Sequence, residues 1–333
     1  MKKALIASTA LVLTAGWAAA DVTISGYGRT GVIYYENDAD VNETQVISRL
    51  RMNIDAATST DAGVDFGARF RIQWDQNQDD AGELNAGKLY VTASGLTVEI
   101  GNTETALDSS GLIYATELGS YDRSVGFSAV TGNFFAYDAD EYGNRIVGED
   151  GNIGNDGVSR LGVFAKYEIA GVSVMGSIID PDQTDDVEFL EGGNEKEYSL
   201  AADYTWNERL ELSAGYTQNG AGFDDNDIFF VGARYAVMEN ARIGLNYVDT
   251  NDEDDSEYGA DGQTFALYGD YTLADGLTNI EAYVANNNRD SNETDNAFGV
   301  GVNYDLGGAR LGASLQRDYD ENVTADMGVR FNF

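Results

Sequence analysis

Val323-Thr-Ala-Asp-Met-Gly-Val-Arg-Phe-Asn-Phe333 closes the chain, and its pattern decides the fold. Apolar side chains fill the odd positions (Val323, Ala325, Met327, Val329, Phe331, Phe333). Small, polar or charged ones fill the even positions (Thr324, Asp326, Gly328, Arg330, Asn332). A β-strand sends successive side chains to opposite faces, so this segment has one apolar face and one wet face. Its length matches the ~9–11 residues with which a tilted strand crosses a bilayer. It also stops on an aromatic, where membrane barrels place an interfacial girdle.

The same period of two recurs upstream. Val64, Phe66, Ala68, Phe70, Ile72 and Trp74, for example, alternate with Asp65, Gly67, Arg69, Arg71, Gln73 and Asp75. The pattern predicts sixteen strands, near 22–35, 46–57, 63–75, 85–94, 96–101, 158–169, 171–180, 196–206, 209–218, 227–237, 241–249, 263–273, 277–286, 296–306, 309–318 and 323–333. Short turns such as Ser94-Gly95, Ala170-Gly171 and Gly307-Gly308 alternate with long polar loops, the longest at 102–157. Alternating short and long links fit an up-and-down barrel with periplasmic turns and external loops. An even strand count lets the last strand pair with the first, leaving no open edge in lipid. The expected fold is therefore all-β, a 16-stranded antiparallel transmembrane β-barrel. A β-sandwich also alternates, but it seldom carries sixteen strands in a single meander.

Residues 1–20 read as a cleaved signal peptide. Lys2 and Lys3 precede an apolar run from Ala4 to Trp17, and Ala18-Ala19-Ala20 satisfies the small-residue cleavage rule. One domain, 21–333, follows, with no Pro/Ser-rich linker dividing it. The chain has no Cys and no His. Disulfides, thiol chemistry, and every Ser-His, Cys-His, His-metal and His acid/base mechanism are thereby excluded, so an enzyme is not expected. The net charge of −37 argues against nucleic acid as a partner, because phosphates require a basic face. Gly26-x-Gly28-x-x-Gly31 matches a dinucleotide fingerprint, yet strand alternation continues through it to Tyr35 and no helix pattern follows.

The leader, the opening Val22-Thr-Ile-Ser-Gly-Tyr-Gly-Arg29, the sixteen-strand layout and the terminal Gly328-Val-Arg-Phe-Asn-Phe333 together resemble Gram-negative general-diffusion porins. The likeness is nearest to the Rhodobacter type from α-proteobacteria and spans the whole chain after the leader. It implies an outer-membrane homotrimer in contact with lipid, passing small hydrophilic solutes and ions by passive diffusion. It also implies that the third long loop folds inward to narrow the channel. The Pro-Glu-Phe-Gly-Gly-Asp signature of enterobacterial porins is absent, so that subgroup's details do not carry over.

Arg49, Arg51, Arg69 and Arg71 share the parity opposite to the apolar face on the second and third strands, with Lys88 and Arg29 on flanking strands. They are expected to form a basic patch on one sector of the lumen. A solvated lumen that tolerates any polar residue is the simpler alternative. Like charges so close call for anions, and a segment of about fifty-five residues between strands points to a functional loop. Glu104, Asp108, Glu117 and Asp122 are its candidate acids, which the resemblance places across the constriction from the arginines. Such a transverse field would orient dipolar solutes and slow apolar ones. A solute-specific channel, with an aromatic ladder or a single-sign track, is the alternative function.

Acidic runs elsewhere suit solvated loops or Ca²⁺. Asp138, Asp140 and Glu149 match positions 1, 3 and 12 of an EF-hand loop with Gly143 at position 6, although Tyr142 fails position 5. No helices flank the stretch, so Ca²⁺ held by a loop is the form of that expectation; calcium in the loops is also what the Rhodobacter-type likeness implies.

Overall fold

The computed structural model describes residues 21–36, 42–76, 83–127, 134–137, 146–147, 153–154, 161–181, 195–251 and 262–333. Sixteen antiparallel strands among them close into one barrel. In chain order these are β1 (Asp21–Tyr35), β2 (Thr44–Ser59), β3 (Asp65–Asp75), β4 (Glu83–Ala93), β5 (Leu96–Gly101), β6 (Leu161–Ile169), β7 (Val172–Asp180) and β8 (Glu197–Trp206). The second half comprises β9 (Leu210–Gln218), β10 (Asp227–Met238), β11 (Ala241–Asn251), β12 (Gly262–Thr272), β13 (Thr278–Asn287), β14 (Asn296–Asp305), β15 (Ala309–Arg317) and β16 (Val323–Asn332). The two-residue strands Ile146–Val147 and Ile153–Gly154 pair outside the barrel. No described helix is long and apolar enough to cross a membrane, which is immaterial to a wall of strands.

The seam lies where alternation at the C-terminus placed it. β1 pairs with β16 from Tyr27↔Asn332 to Tyr35↔Thr324, and Gly26 and Phe333 exchange backbone hydrogen bonds of 2.8 and 3.0 Å beyond the last strand residue. Each ladder satisfies its neighbours' N–H and C=O groups, which hydrocarbon demands of any spanning structure. On the outer face, Gly28 lies under Phe331: a Cβ there would come within 2.5 Å of the ring. The short links use backbone that matches strand twist. Ser94-Gly95 and Ala170-Gly171 have positive φ at both residues, the requirement of two-residue type I′ hairpins, and Asn207-Glu208 has the same signs within the three-residue link from β8 to β9.

Large apolar side chains cover the outside. Leu200 and Met327 are 65% and 67% exposed, a display that suits lipid rather than water. The buried side chains lie instead within the lumen. The sequence pattern marks 102–157 as a polar loop, yet residues 106–127 carry an apolar set that the structure buries. Leu107, Leu112, Ile113, Leu118 and Phe127 pack with Ile228 and Phe230 of β10, Val248 of β11, Ala266 of β12 and Tyr283 of β13. The physical reason is local. In that sector several inward positions (Ile228, Phe230, Val248, Ala266) are themselves apolar, so a segment with spaced apolar residues can leave water by lying against them.

Candidate functional site

Basic side chains occupy one wall of the lumen in cross-strand rows. Cα partners in an antiparallel ladder share a face, so register alone assembles each row. The longest runs Arg310, Arg330, Arg29, Arg49 and Asp75 over five consecutive strands, β15, β16, β1, β2 and β3. The next joins Tyr27, Arg51 and Gln73, and another joins Asp55, Arg69 and Lys88. Arg71 stands opposite Asn53. All six basic residues expected from the sequence thus share this wall, joined by Arg310 and Arg330.

Strand acids hold much of that charge. Arg49 Nε lies 2.5 Å from Asp75, Arg69 Nε 2.7 Å from Asp55, and Lys88 Nζ 2.6 Å from Glu99. Arg51 donates to Gln73 at 2.5 Å and Arg71 to Asn53 at 3.0 Å. Tyrosines separate the cations. Tyr27 lies between Arg330 and Arg51, with guanidinium-to-ring distances of 4.2 and 5.6 Å. Tyr137 lies between Arg71 and Lys88, at 4.2 and 4.9 Å. Arg29 donates to the Tyr121 carbonyl at 2.6 Å.

The loop that follows β5 crosses the lumen along the inner wall. Its backbone is tied successively to Ser177 of β7 (3.0 Å), Ser199 of β8 (3.0 Å) and Asp203 of β8 (3.2 Å). Farther on, Asn246 of β11 donates to Leu112 O (2.6 Å), Ser120 N donates to Asp326 of β16 (3.0 Å), and Tyr121 donates to Ile47 O of β2 (2.8 Å). Its apolar residues face the wall, while Glu104, Asp108, Glu117 and Asp122 are its half-exposed acids. Glu104 makes a short ion pair with Lys88. Asp122 bridges Arg310 (2.6 Å) and Arg330, the latter in a short contact. Asp108 accepts a hydrogen bond from Tyr114 (2.6 Å).

Two loop carboxyls depart from ordinary acidity. Burial works to raise Glu104, but Lys88 outweighs it and holds the group below the usual carboxylate range. Burial pushes Glu117 up to about 7, against the opposing pull of Arg330 and Arg29. Glu104 and Asp122 therefore touch the basic wall at its two ends, and Glu117 and Asp108 lie between.

The sequence pattern missed Asp55, Asp75 and Glu99, whose parity would have revealed them. It also missed Tyr121 and Tyr137, which sit in the loop where period two gives no direction. Asp138, Asp140 and Glu149 lie outside the described residues, and the Ca²⁺ expectation lies there with them. Among the described residues no group of three or more metal-ligating side chains converges.

A family model described as Gram-negative porin matches residues 7–325. The porin of Fuscovulum blasticum is 36% identical over 316 residues, spanning 94% of this chain and 100% of that protein. The porin of Rhodobacter capsulatus is 24% identical over 337 residues, with the same two coverages. Among solved structures, a triple mutant of the Rhodopseudomonas blastica porin is similar at a TM-score of 0.80 and 34% identity, over 94% of this chain and 100% of that one.

Proposed function

The chain belongs to the Gram-negative porin family, whose members form outer-membrane channels, and on that premise we propose how this one selects its solutes. Small hydrophilic solutes and ions cross it by passive diffusion through an aperture bounded by two unlike surfaces. One is the arginine wall from β15 to β4. The other is the lumen-facing edge of the loop, with Glu104, Asp108, Glu117 and Asp122. One observation carries this reading: the four acids are half-exposed in a loop whose apolar residues are buried against the opposite wall. Cations on one side and carboxylates on the other set up a field across the path. A dipolar solute aligns in that field, while an apolar one displaces ordered water and gains nothing in return. No covalent step and no energy source is involved.

The same proposal takes residues 1–20 as the cleaved export signal and a homotrimer as the working unit. Sequence and family likeness support both, and cross-linking in native membranes tests the second.

Single-channel recording in planar bilayers, with reversal potentials in a KCl gradient, tests the pore. Stable ohmic steps are expected, with a reversal potential that moves when loop acids or wall arginines are neutralised. Absence of steps overturns the diffusion channel. Block by a single sugar or anion at micromolar concentration would replace it with a solute-specific one.

A further inference from the structure

Residues 118–123 of the loop close a turn of their own, and the wall beneath that turn is bare backbone. Leu118 and Arg123 exchange backbone hydrogen bonds of 2.8 and 3.1 Å, and positive φ at Gly119 (74°) and Asp122 (48°) bends the chain between them. Leu118, Ser120 and Tyr121 are buried, so the turn lies against the wall and not in the water path. Below it, Gly312 of β15 and Gly328 of β16 are ladder partners, one inward position from Arg310 and Arg330. Gly301 of β14 stands one row away, opposite Ser314. The loop fills the space that side chains would take. A Cβ on Gly312 would come within 2.7 Å of Ser120 N, and one on Gly328 within 2.9 Å of Ser120 Oγ. One on Gly301 would lie 3.3 Å from Leu118 Cβ. At Gly312 the three nearest atoms are all loop backbone, so no rotamer change makes room there, and the barrel ladder is not what requires the glycine. The fit is mutual: a Cβ on Gly119 would come within 2.6 Å of the Asp326 carboxylate.

What that depth permits is a set of contacts to the charged row. Ser120 donates from N and Oγ to Asp326 (3.0 and 2.8 Å), which also takes the Ser314 hydroxyl. Arg310 donates to Gly119 O at 3.2 Å and pairs with Asp122 at 2.6 Å. Asp122 also pairs with Arg330, and Tyr121 O takes the Arg29 guanidinium at 2.6 Å. One turn thus ties down three consecutive cations of the longest row. We propose that Gly312, supported by Gly301, is a positioning residue for selectivity: its bare backbone seats the turn deeply enough to hold those guanidinium groups on the wall. A methyl group at Gly312 lifts the turn into the lumen and stretches both Asp122 pairs. Two guanidinium groups are then released for one carboxylate, so the aperture narrows and favours anions. The inference rests on the channel reading and names what sets the loop's depth there.

Single-channel recording in a KCl gradient tests it with Gly312→Ala. Conductance is expected to fall, and the anion-to-cation permeability ratio to rise about threefold, within what two partly exposed pairs can supply. Gly301→Ala meets the loop less closely and should shift the ratio in the same direction by less; it carries the test if Gly312→Ala does not assemble. Gly308→Ala, with open space around it, should leave both values in place. Asp122→Asn removes the pairs through which the glycine acts, so adding Gly312→Ala to it should shift the ratio no further. A full shift on top of Asp122→Asn, or a ratio and conductance in Gly312→Ala equal to the parent's, would overturn the positioning role.

A second readout needs no current. Hydrogen exchange of the segment 118–123, measured by mass spectrometry on the detergent-solubilised protein, should quicken at least about fivefold in Gly312→Ala as the Ser120 N–H leaves Asp326. Unchanged exchange would show that the turn keeps its seat with the methyl group present, and the inference falls. A silent parent channel would sink the diffusion reading instead, and exchange would still report on the seat.

Discussion

The two halves of the lumen wall differ in what they bind. From β15 round to β4 the inward positions carry guanidinium rows, tyrosine spacers and strand carboxylates, half-buried for the most part and buried at Arg71, Asp75 and Lys88. From β10 to β14 the inward positions include Ile228, Phe230, Val248, Ala266, Tyr283 and Ala297, and the loop covers them. Magnitudes explain the division of labour. Each partly exposed Asp122 pair is worth about 0–1 kcal/mol, whereas burying one large apolar side chain yields about 1.5–3 kcal/mol. The apolar half therefore holds the loop in place, and the charged contacts of Glu104 and Asp122 set where its ends lie. Selectivity and stability are assigned to opposite sides of one channel.

The sharpest way to break that comparison is to charge the apolar bed. Phe230 is fully buried and stands opposite Val248 in the ladder. Phe230→Asp removes contacts worth about 3–5 kcal/mol and strands a carboxylate among apolar groups. The barrel ladders are untouched, so the expected outcome is a released loop in an intact barrel. Conductance in KCl should rise severalfold, and a protease should cut between residues 107 and 127. If neither changes, polar ties rather than the apolar bed hold the loop.

Charge on the opposite half should alter selectivity with little effect on pore size. Arg29→Ala with Arg49→Ala removes two cations from the longest row and leaves Asp75 without its 2.5 Å partner. The cation-to-anion permeability ratio is expected to rise about fivefold, equivalent to about 1 kcal/mol. A reversal potential that stays put would mean that ions pass elsewhere in the lumen.

Glu117 links the two halves through pH. Its carboxyl sits near 7, raised by burial above an ordinary glutamate near ~4.3. The docked loop thus holds the proton more tightly than a released loop would. Its contribution to docking is complete below about pH 4 and is lost as pH rises through 7. Between pH 5 and pH 8, proteolysis of the loop should quicken and reversal potentials should move toward cations. Arg330, Arg29, Arg310 and Asp108 face the group and set the midpoint. Glu117→Gln should flatten both profiles, and a slope that survives this change would reassign the titration to another acid.

Period-two alternation made the barrel legible almost to the residue, because each strand must present lipid on one face whatever its neighbours do. β16 was readable as Val323–Phe333 for that reason, and the seam with β1 followed from an even count. The basic wall was legible too, since Arg49, Arg51, Arg69 and Arg71 declare their face by parity. The covered half was not. Ile228 and Phe230 lie on the inward parity of β10, where polar residues are expected, and nothing local says that a segment more than a hundred residues upstream will cover them. Leu112 and Leu118 likewise sit in a stretch without period, so their direction exists only once the loop has found its wall. Pairing was hidden as well: Asp55 and Asp75 meet their arginines through the β2–β3 register, which the turn after Ser59 fixes and alternation alone does not state.

The smallest effect concerns the spacers. Tyr27 lies 4.2 Å below the Arg330 guanidinium and 5.6 Å from that of Arg51, and it also takes a hydrogen bond from Arg49. Each cation–π contact at a half-open site is worth about 0.5–1 kcal/mol. Without the ring, nothing uncharged separates two guanidinium groups, and both gain freedom to swing from the wall. Tyr27→Leu should therefore shift the permeability ratio by about twofold. Tyr27→Phe keeps the face and loses only the hydroxyl, so it should shift the ratio less. Equal shifts in the two variants would show that the Arg49 hydrogen bond, not the ring face, orders the row. The charged half of the lumen would then owe its geometry to donors and acceptors alone.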